Sequence, residues 1–570
     1  MRGVFRLWKL PILLLAMQVP VLFAQEEPIE HAKKNPVMQQ VGINTPQQDT
    51  SKTPPKTVQR PLPKFDLPEF VITGIASVDL PKLEKIIIDD SAAVSQPMLK
   101  SSENILRDRE TLGLEMKNRG GYSQAPTSKY SGFAKAGIGT YFTPQAELQF
   151  GQSFPEYFYS LGGNYFLTKG YATNTDQSSG GLIASGGTTL TSSMPILWNA
   201  ALNGRLGYRS ESFRFYGSAT PDIQRTLSDF QLQTELENQT SNYFPYLAGI
   251  SLESFSISDS SASKTETRLD LNYQTSFPIA SLPVQTKLHF MSATGGLGFM
   301  DLSAGVQNCW YGDILFEGSL HLYWAKGMAG QNLVRLCPQL MASYQVTSQH
   351  RVFVSYETTF IPMTLASNII ANRFLSAVSI VKHEYVTGAG ELGIESNWTE
   401  AMRSRVSLNV KSARDLPMFS DSSLQGVWML AYGGQARIVT FCAEMVAKLN
   451  SNDYFASNIL LRSTKDSFLG GKIPYAPTIE AWCTANHRFG PSMAVSADVK
   501  FVGKRTTDIA GTDSLSISKY AVVDVNGEYT PFDFLRLTVG IKNLTDSQFE
   551  TWRGYKEFPL TLQIDAQIRW

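Results

Sequence analysis

The sequence predicts an all-β fold, a transmembrane antiparallel outer-membrane β-barrel of roughly 20 to 22 strands preceded by a short N-terminal periplasmic or luminal segment. Three observations predict it. Apolar and polar residues alternate repeatedly from about Tyr130 to Trp570. No apolar run after the first two dozen residues reaches the ~18 residues that a spanning helix needs. The chain also ends on an alternating strand whose last residue is aromatic.

The two-residue alternation recurs in Asp229–Leu236, Thr267–Tyr273, Val284–Phe290, Met402–Lys411 and Val495–Phe501. Successive side chains of a strand point to opposite faces, so each segment has one apolar and one polar face. A soluble sandwich or propeller turns the apolar face inward, whereas a membrane barrel turns it outward. The length of the region and its lack of a 40 to 50-residue repeat motif favour the barrel, and we assign it to residues 130–570.

Composition excludes some classes of function. The chain has 570 residues with 50 basic and 50 acidic side chains, so we expect no nucleic-acid partner. The cysteines Cys309, Cys337, Cys442 and Cys483 are isolated and form no CxxC pair. Export permits a Cys309–Cys337 disulfide, but the wide spacing fits strand cysteines better than a zinc site or a disulfide scaffold.

The first 24 residues have the pattern of a cleaved signal peptide. Arg2, Arg6 and Lys9 precede a mostly apolar stretch that ends at Ala24. A short membrane anchor is the alternative, but Pro11 and polar residues interrupt a stretch already shorter than the ~20 residues of a spanning helix. We expect export through the inner membrane of a Gram-negative cell and cleavage after Ala24.

Two segments separate the signal peptide from the barrel. Gln25–Lys64 is rich in Gln, Pro, Lys and Thr and has too few apolar residues to fold, which predicts a disordered periplasmic spacer. Residues 65–129 are more apolar and include PEFVITGI at Pro68–Ile75, which predicts one or two short strands.

The C-terminal hundred residues carry specific motifs. Tyr520–Tyr529 reads YAVVDVNGEY, Val539–Asp546 contains an Asn-Leu-x-Asp element, and a Trp and a Gly-Tyr precede the last hairpin. In the last strand, Leu562, Ile564, Ile568 and the terminal Trp570 alternate with polar residues. This C-terminus resembles that of the TonB-dependent receptors. The resemblance implies uptake of a solute across the outer membrane and recognition of the last strand by the barrel-insertion machinery.

The N-terminal part departs from that family. Its members have a plug domain in the lumen and a short segment that binds TonB, but residues 65–129 lack the family's Gly-rich plug motifs. PEFVITGI resembles the TonB-contact segment, which would pair by strand addition. The resemblance implies TonB as a partner and the contact candidates Glu69, Phe70, Val71, Ile72, Thr73 and Gly74. An ordinary β-strand is the alternative.

No pattern of catalytic or metal-binding residues stands out. Gly388–Gly393 matches GxGxxG but is followed by no amphipathic helix, so a turn or bulged strand explains it better than a dinucleotide site. The six histidines lack HExxH spacing, and no GxSxG elbow accompanies them. We therefore expect no cofactor, no metal and no enzyme, although a spatial grouping of Ser and His stays open. Arg268, Lys287, Arg403 and Lys500 are expected to line a wet interior.

Two functions compete at this stage. The first is binding and uptake of a solute by a receptor-like barrel embedded in outer-membrane lipid. The second is a non-conducting barrel that anchors or assembles a periplasmic or surface partner through the proline-rich spacer. A barrel of ~22 strands leaves a wide lumen, so we expect residues 65–129 or inward loops to close it.

Overall fold

The computed structural model describes residues 131–570 except 191–193, 195, 239–243, 261, 280–281, 400, 422, 451, 468–469 and 508–514. The predicted signal peptide, the spacer, segment 65–129 and the TonB-contact candidates Glu69–Gly74 lie outside the described residues. Their assignments therefore stay predictions.

Twenty-eight strands and one helix make up the described structure. In chain order they are β1 (Gly132–Gly139), β2 (Gln145–Ser153), β3 (Tyr157–Thr168), β4 (Gln177–Leu190), β5 (Ala200–Arg214), β6 (Gln224–Asn238), β7 (Tyr246–Asp259), β8 (Ser263–Ile279), β9 (Leu282–Ala293), β10 (Leu297–Tyr311), β11 (Ile314–Lys326), β12 (Asn332–Gln345), β13 (His350–Ile361), α1 (Leu365–Ala371), β14 (Glu384–Thr399), β15 (Met402–Arg414), β16 (Pro417–Ser420), β17 (Met429–Tyr432), β18 (Gln435–Lys448), β19 (Asp453–Asp466), β20 (Ile479–Arg488), β21 (Met493–Val502), β22 (Arg505–Thr506), β23 (Ser516–Ile517), β24 (Tyr520–Phe532), β25 (Leu535–Lys542), β26 (Glu550–Trp552), β27 (Tyr555–Lys556) and β28 (Thr561–Arg569).

Twenty-two of these strands form one closed antiparallel barrel. Each pairs with its neighbours along the chain, and β28 pairs with both β25 and β1, with Ala134 opposite Ile568 and Ile138 opposite Ile564. Closure leaves no unpaired edge, which is the condition for a sheet to span a bilayer. The predicted all-β barrel and its upper strand count are confirmed.

The outside of the barrel is apolar. Leu182 of β4, Leu336 of β12 and Leu392 of β14 are each more than 60% exposed. In a soluble protein Leu is usually buried. A band of such side chains around a closed sheet is the surface that membrane lipid requires. Among the described residues no helix is both long enough and apolar enough to cross a bilayer.

The two ends of the barrel differ. One end, the turn end, holds residue 131, the C-terminal Trp570 and short connections such as 312–313 and 533–534. Exposed aromatic side chains collect there; they are Trp198, Trp310, Tyr311, Trp398, Phe489, Tyr529, Phe532, Phe534 and Trp570. The opposite end, the loop end, carries the longest connections, 362–383, 415–434 and 543–560. Aromatic girdles, short periplasmic turns and long outer loops are typical of outer-membrane barrels.

The two C-terminal motifs meet at the loop end. Asn543 has a left-handed φ of 52° and its N–H donates to Asp524, the acid of YAVVDV, at 2.7 Å. The Asn543 amide also donates to the carbonyls of Ser547 and Phe558 at 3.0 and 3.1 Å. Asp546 accepts the N–H of Leu560 at 2.9 Å. The Asn-Leu-x-Asp element therefore fixes the base of the last loop.

The glycine-rich segment and the cysteines have structural roles. Gly388–Gly393 lies in β14 next to a register shift between Val386 and Gly388, so the predicted bulged strand is observed. A Cβ on Gly393 would lie 2.5 Å from the Phe353 ring that covers it. All four cysteines are free and lie in strands, which excludes the Cys309–Cys337 disulfide in this structure.

Candidate functional site: the loop cap and the lumen

Three long connections at the loop end of the barrel pack into one structure that we name the loop cap. It consists of connections 362–383, 415–434 and 543–560, described except for residue 422. Leu375, Trp428 and Tyr555, one from each connection, are 0% exposed. They share a hydrophobic cluster with side chains of the barrel wall; the wall members include Phe213, Leu227, Phe255, Ile257 and Leu297. The cap is thus continuous with the wall.

Aromatic side chains form the centre of the cap. The rings of Phe374 and Tyr555 stack with centroids 3.6 Å apart. Trp428 donates from its indole N–H to the hydroxyl of Tyr475 at 3.0 Å. Burial raises the pKa of Tyr475 to about 12, so this hydroxyl stays protonated at neutral pH. Removing a large buried aromatic side chain costs about 3 to 5 kcal/mol, so Trp428 holds the three connections together.

Glycines let the cap backbones approach closely. Gly554 has φ of 84°, and a Cβ there would lie 2.7 Å from the carbonyl oxygen of Gly217. Gly426 has φ of 73°, and a Cβ there would lie 2.7 Å from the same oxygen. The hydroxyl of Tyr555 donates to the Gly426 carbonyl at 2.8 Å. The Trp, Gly and Tyr that mark the sequence before the last hairpin therefore pack within the cap.

A helix of the cap is tied to the wall by a carboxylate. Thr364 caps α1, and its Oγ1 accepts the N–H of Ser367 at 3.0 Å. Glu266, on the lumen face of β8 and 4% exposed, accepts the N–H groups of Leu365 and Ala366 at 2.8 and 3.1 Å. An acidic side chain at a helix N-terminus satisfies N–H groups that the helix leaves without partners.

A buried ion pair makes a second tie. Arg225 of β6 bonds Asp259 of β7 at 2.7 Å, and the two side chains are 3% and 1% exposed. The same guanidinium donates to the carbonyl oxygens of Arg373 and Leu375 in the cap. Its plane also lies 4.5 Å from the centroid of Phe215. One wall residue thus holds the 362–383 connection at its C-terminal half.

His383 makes the third tie. Its Nδ1 accepts the N–H of Met363 at 3.0 Å, while its Nε2–H donates to the Lys326 carbonyl at 3.1 Å. Gln331 clamps its backbone through two hydrogen bonds of 2.8 and 2.7 Å. Burial lowers the pKa of His383 below the usual histidine value. The neutral ring is therefore the form that fits, because protonated Nδ1 would face a backbone N–H.

Below the cap, the inner wall carries paired charges. Arg268 bonds Glu253 at 2.9 Å and Asp270 at 2.7 Å, and His289 lies 3.2 Å from Asp270. Comparable pairs follow around the barrel; they are Arg405–Glu391, Arg462–Glu480, Lys411–Glu384 and Lys135–Asp565. Neighbouring strands place these groups opposite one another, so the charges of these pairs are neutralised locally. Such a wall suits water and polar solutes.

Within the described part of the chain, the candidate residues predicted from the sequence lie on the inner wall and on the outer face of the barrel. Arg268 lies in the charge network of the inner wall, and Lys287, Arg403 and Lys500 lie on lumen-facing positions of β9, β15 and β21. The four residues of the last strand, Leu562, Ile564, Ile568 and Trp570, are 38 to 52% exposed on the outside. Their recognition by the insertion machinery stays a prediction. In the part of the chain that the structure describes, no group of three His, Cys, Asp or Glu side chains could hold a metal ion.

The sequence predicted inward loops or residues 65–129 over the lumen, but it did not identify which loop residues form the cap. Loops have no periodicity, and the cap residues come from connections far apart in the chain. One signal was visible, because aromatic and Gly residues such as Trp428, Trp552 and Gly554 stand between strands where polar residues are usual.

Comparison with known proteins gives neighbours in structure alone. No family model matches the sequence, and no curated protein matches it. The siderophore receptor PiuA from Acinetobacter baumannii has a TM-score of 0.60 at 10% identity, with 78% of this chain and 82% of that chain covered. The FrpB iron transporter from Neisseria meningitidis (F5-1 variant) has 0.62 at 10%, covering 78% and 83%.

The pyoverdine outer membrane receptor FpvA from Pseudomonas aeruginosa, bound to pyoverdine, has a TM-score of 0.61 at 12% identity, covering 78% and 79%. These neighbours are TonB-dependent receptors with a 22-stranded barrel. The likeness confirms the fold that the C-terminal motifs predicted. The closed apolar barrel places the chain in an outer membrane, as predicted.

Proposed function

We propose that this chain binds a polar solute at its outer face and carries it across the outer membrane through the barrel lumen, with the loop cap as the gate. One observation carries the proposal: a hydrophobically packed cap stands over a wall of paired charges. A barrel built only to anchor a partner needs neither a polar wall nor a cap tied to it.

The ties explain how such a gate would be held. Glu266, Arg225 and His383 each bond backbone groups of connection 362–383. Because these contacts use the backbone, they hold the loop in place independently of its exposed side chains. A solute at the outer surface of the cap would open it only by binding more tightly to a state in which these ties are rearranged, since a ligand shifts an equilibrium by its differential affinity for the two states.

We further propose that the predicted segment Glu69–Gly74 contacts TonB, which would supply the energy for opening. The resemblance of PEFVITGI to the TonB-contact segment supports this, since such segments pair by strand addition. Deleting Pro68–Ile75 should abolish energy-dependent uptake while the barrel still folds. Unchanged energy-dependent uptake would exclude the TonB contact.

Conductance of the purified full chain in a planar bilayer tests the gate. We expect the native protein to be nearly silent and the Trp428→Ala variant to conduct, because the substitution removes about 3 to 5 kcal/mol of packing from the cap. Gly554→Ala should act in the same direction through its left-handed φ and its contact with Gly217.

Trp310→Ala is the matched control. Trp310 is 66% exposed at the turn end, so its loss should leave conductance unchanged. Heat-modifiable migration on gels checks that each variant keeps its barrel. If cap variants with intact barrels stay as silent as the native protein, the cap is not the gate, and a seal by the N-terminal segment or the anchoring function explains the silence better.

A further inference from the structure

The inner wall of β10 and β11 brings a serine, a histidine and an aspartate into one chain of hydrogen bonds. Ser319 and His321 are two residues apart on β11, so their side chains share the lumen face. Ser319 Oγ lies 2.9 Å from His321 Nε2. On the other side of the ring, His321 Nδ1 lies 2.9 and 3.1 Å from the two carboxylate oxygens of Asp301 on β10.

The order of the three groups assigns the proton positions of the neutral ring. An Asp301 carboxylate accepts hydrogen bonds only, so Nδ1 of a neutral His321 carries the hydrogen. Nε2 is then the lone-pair nitrogen, and the Ser319 hydroxyl donates to it. A serine whose proton points at a neutral imidazole, with that imidazole oriented by a carboxylate, is the arrangement that activates a nucleophile.

The neighbours of the ring hold it in place. Tyr323 stacks on His321 at 5.4 Å with an interplanar angle of 11°. The Tyr323 hydroxyl lies 3.2 Å from Nδ1 and 3.0 Å from Thr359 Oγ1. The side chains of His321 and Asp301 are 9% and 18% exposed, whereas Ser319 is half-buried. The base is thus shielded, whereas Ser319 and Asp301 are each partly exposed on the lumen face.

We propose that Ser319, His321 and Asp301 form an esterase site that cleaves carboxylic esters in the lumen. Ser319 Oγ attacks the ester carbonyl carbon while its proton passes to His321 Nε2. The tetrahedral oxyanion collapses, the C–O bond to the alcohol breaks, and His321 protonates the departing alkoxide. Water then attacks the acyl-serine carbonyl and loses a proton to His321 Nε2. The bond from the acyl carbon to Ser319 Oγ breaks, and His321 returns that proton to Oγ, so the products are a carboxylic acid, an alcohol and free Ser319. No oxidant or metal takes part.

A side chain must stabilise the oxyanion. β11 pairs with β10 and β12 on its two sides, so its backbone N–H groups are engaged in the sheet. Gln339 of β12 stands directly opposite Ser319 in the ladder, and its Nε2 lies 3.5 Å from the Tyr323 hydroxyl. As part of the same proposal, the Gln339 amide would turn from the Tyr323 hydroxyl toward Ser319 to donate to the oxyanion. Loss of such a donor lowers kcat more than it changes KM.

Ester hydrolysis is a separate activity from solute passage, so it can be tested without a transport assay. The full chain, purified in detergent with heat-modifiable migration as the folding check, is treated with a fluorophosphonate probe and assayed with p-nitrophenyl butyrate. We expect the probe to modify Ser319, located by peptide mass spectrometry, and Ser319→Ala to lose both labelling and hydrolysis. Asp301→Asn should slow hydrolysis roughly 10²- to 10⁴-fold, and Gln339→Met should lower kcat with little change in KM.

Ser396→Ala is the matched control, because Ser396 Oγ lies 2.9 Å from Nδ1 of His350, outside the three-residue chain. This variant should keep full labelling. A second readout uses Ser319→Cys alone and combined with His321→Gln: the new cysteine should be alkylated by iodoacetamide at least tenfold faster when His321 is present and lose that advantage in acid. Wild-type labelling no stronger than in Ser319→Ala, or equal alkylation of the new cysteine in the two variants, would overturn the proposal.

Discussion

Single residues connect the wall of the barrel to its cap, and each does so from a buried position. Glu266 and Arg225 reach the cap from strands, while His383 reaches back from the cap to the wall. None of these roles follows from the sequence, where each residue is one polar member of an alternating strand or loop. Alternation predicts which face a side chain occupies, but the partner depends on which loop folds over that face.

The ion pair of Arg225 gives the first prediction. Arg225→Met keeps the length of the side chain but leaves Asp259 buried beside a neutral partner and frees the carbonyls of Arg373 and Leu375. Removing one member of a buried pair costs about 3 to 5 kcal/mol. In Arg225→Met we expect backbone hydrogen exchange in connection 362–383 to become faster, by the factor that corresponds to this loss of free energy.

Arg403→Met is the control for that experiment, since Arg403 is an exposed arginine on the lumen-facing side of β15. It should leave exchange in the cap unchanged. Equal exchange in the native protein and Arg225→Met would mean that the aromatic centre alone holds the cap.

His383 gives a pH prediction. Burial lowers the pKa of His383 in the folded chain, so the unfolded loop binds a proton more readily than the folded one. The stabilisation is complete above the unfolded histidine pKa of about 6.5 and is lost as pH falls toward the lower folded value. Exchange protection in connection 362–383, corrected for the intrinsic rate, should therefore decrease as pH falls below ~6.5.

The charged neighbours set the control. Lys382 bonds Asp415 at 3.1 Å beside His383, and Glu384 bonds Lys411 at 2.7 Å. His383→Gln should be less protected at neutral pH but should lose the pH dependence between ~6.5 and 5. If the variant keeps the same pH dependence, the carboxylates of those pairs, not His383, are the titrating groups.

At the scale of the element, the last strand meets two requirements, of which the sequence shows one. Its apolar face alternates with polar residues, and this alternation predicted the strand correctly. It also pairs on both sides, because it closes the barrel against β1. The structure alone identifies that second partner, since no motif in Gly132–Gly139 marks it as the first strand.

A charge on the outer face of this strand should damage assembly. Ile564 is 50% exposed on the lipid side, between β25 and β1. Ile564→Arg should cost about 2 to 4 kcal/mol at mid-membrane depth and lower the fraction of heat-modifiable barrel in the outer membrane. Gln563→Lys places a charge one residue away on the lumen face, and it should assemble normally. Equal assembly of both variants would contradict the membrane-facing assignment.

At the scale of the whole molecule, the barrel was predictable and its chemistry was not. A period of two repeated over 440 residues specifies a sheet, and an apolar face without a second layer to cover it specifies a membrane. The loop cap and the Ser319, His321 and Asp301 cluster depend on register and on contacts between distant segments. The sequence carries Ser319 and His321 two residues apart, but Asp301 joins them only through the pairing of β10 with β11.

The division between barrel and N-terminal segment gives the last prediction. The described barrel closes through direct pairing of β1 and β28, so a chain lacking Gln25–Lys129 but keeping residues 1–24 should still assemble into a heat-modifiable barrel. If the loop cap is the main seal, this truncated chain should stay nearly silent in a planar bilayer. The truncated chain that also carries Trp428→Ala should conduct, and more strongly than the full chain with Trp428→Ala. Strong conductance of the truncated chain with an intact cap would assign the seal to the N-terminal segment instead, and the cap would then act in binding alone.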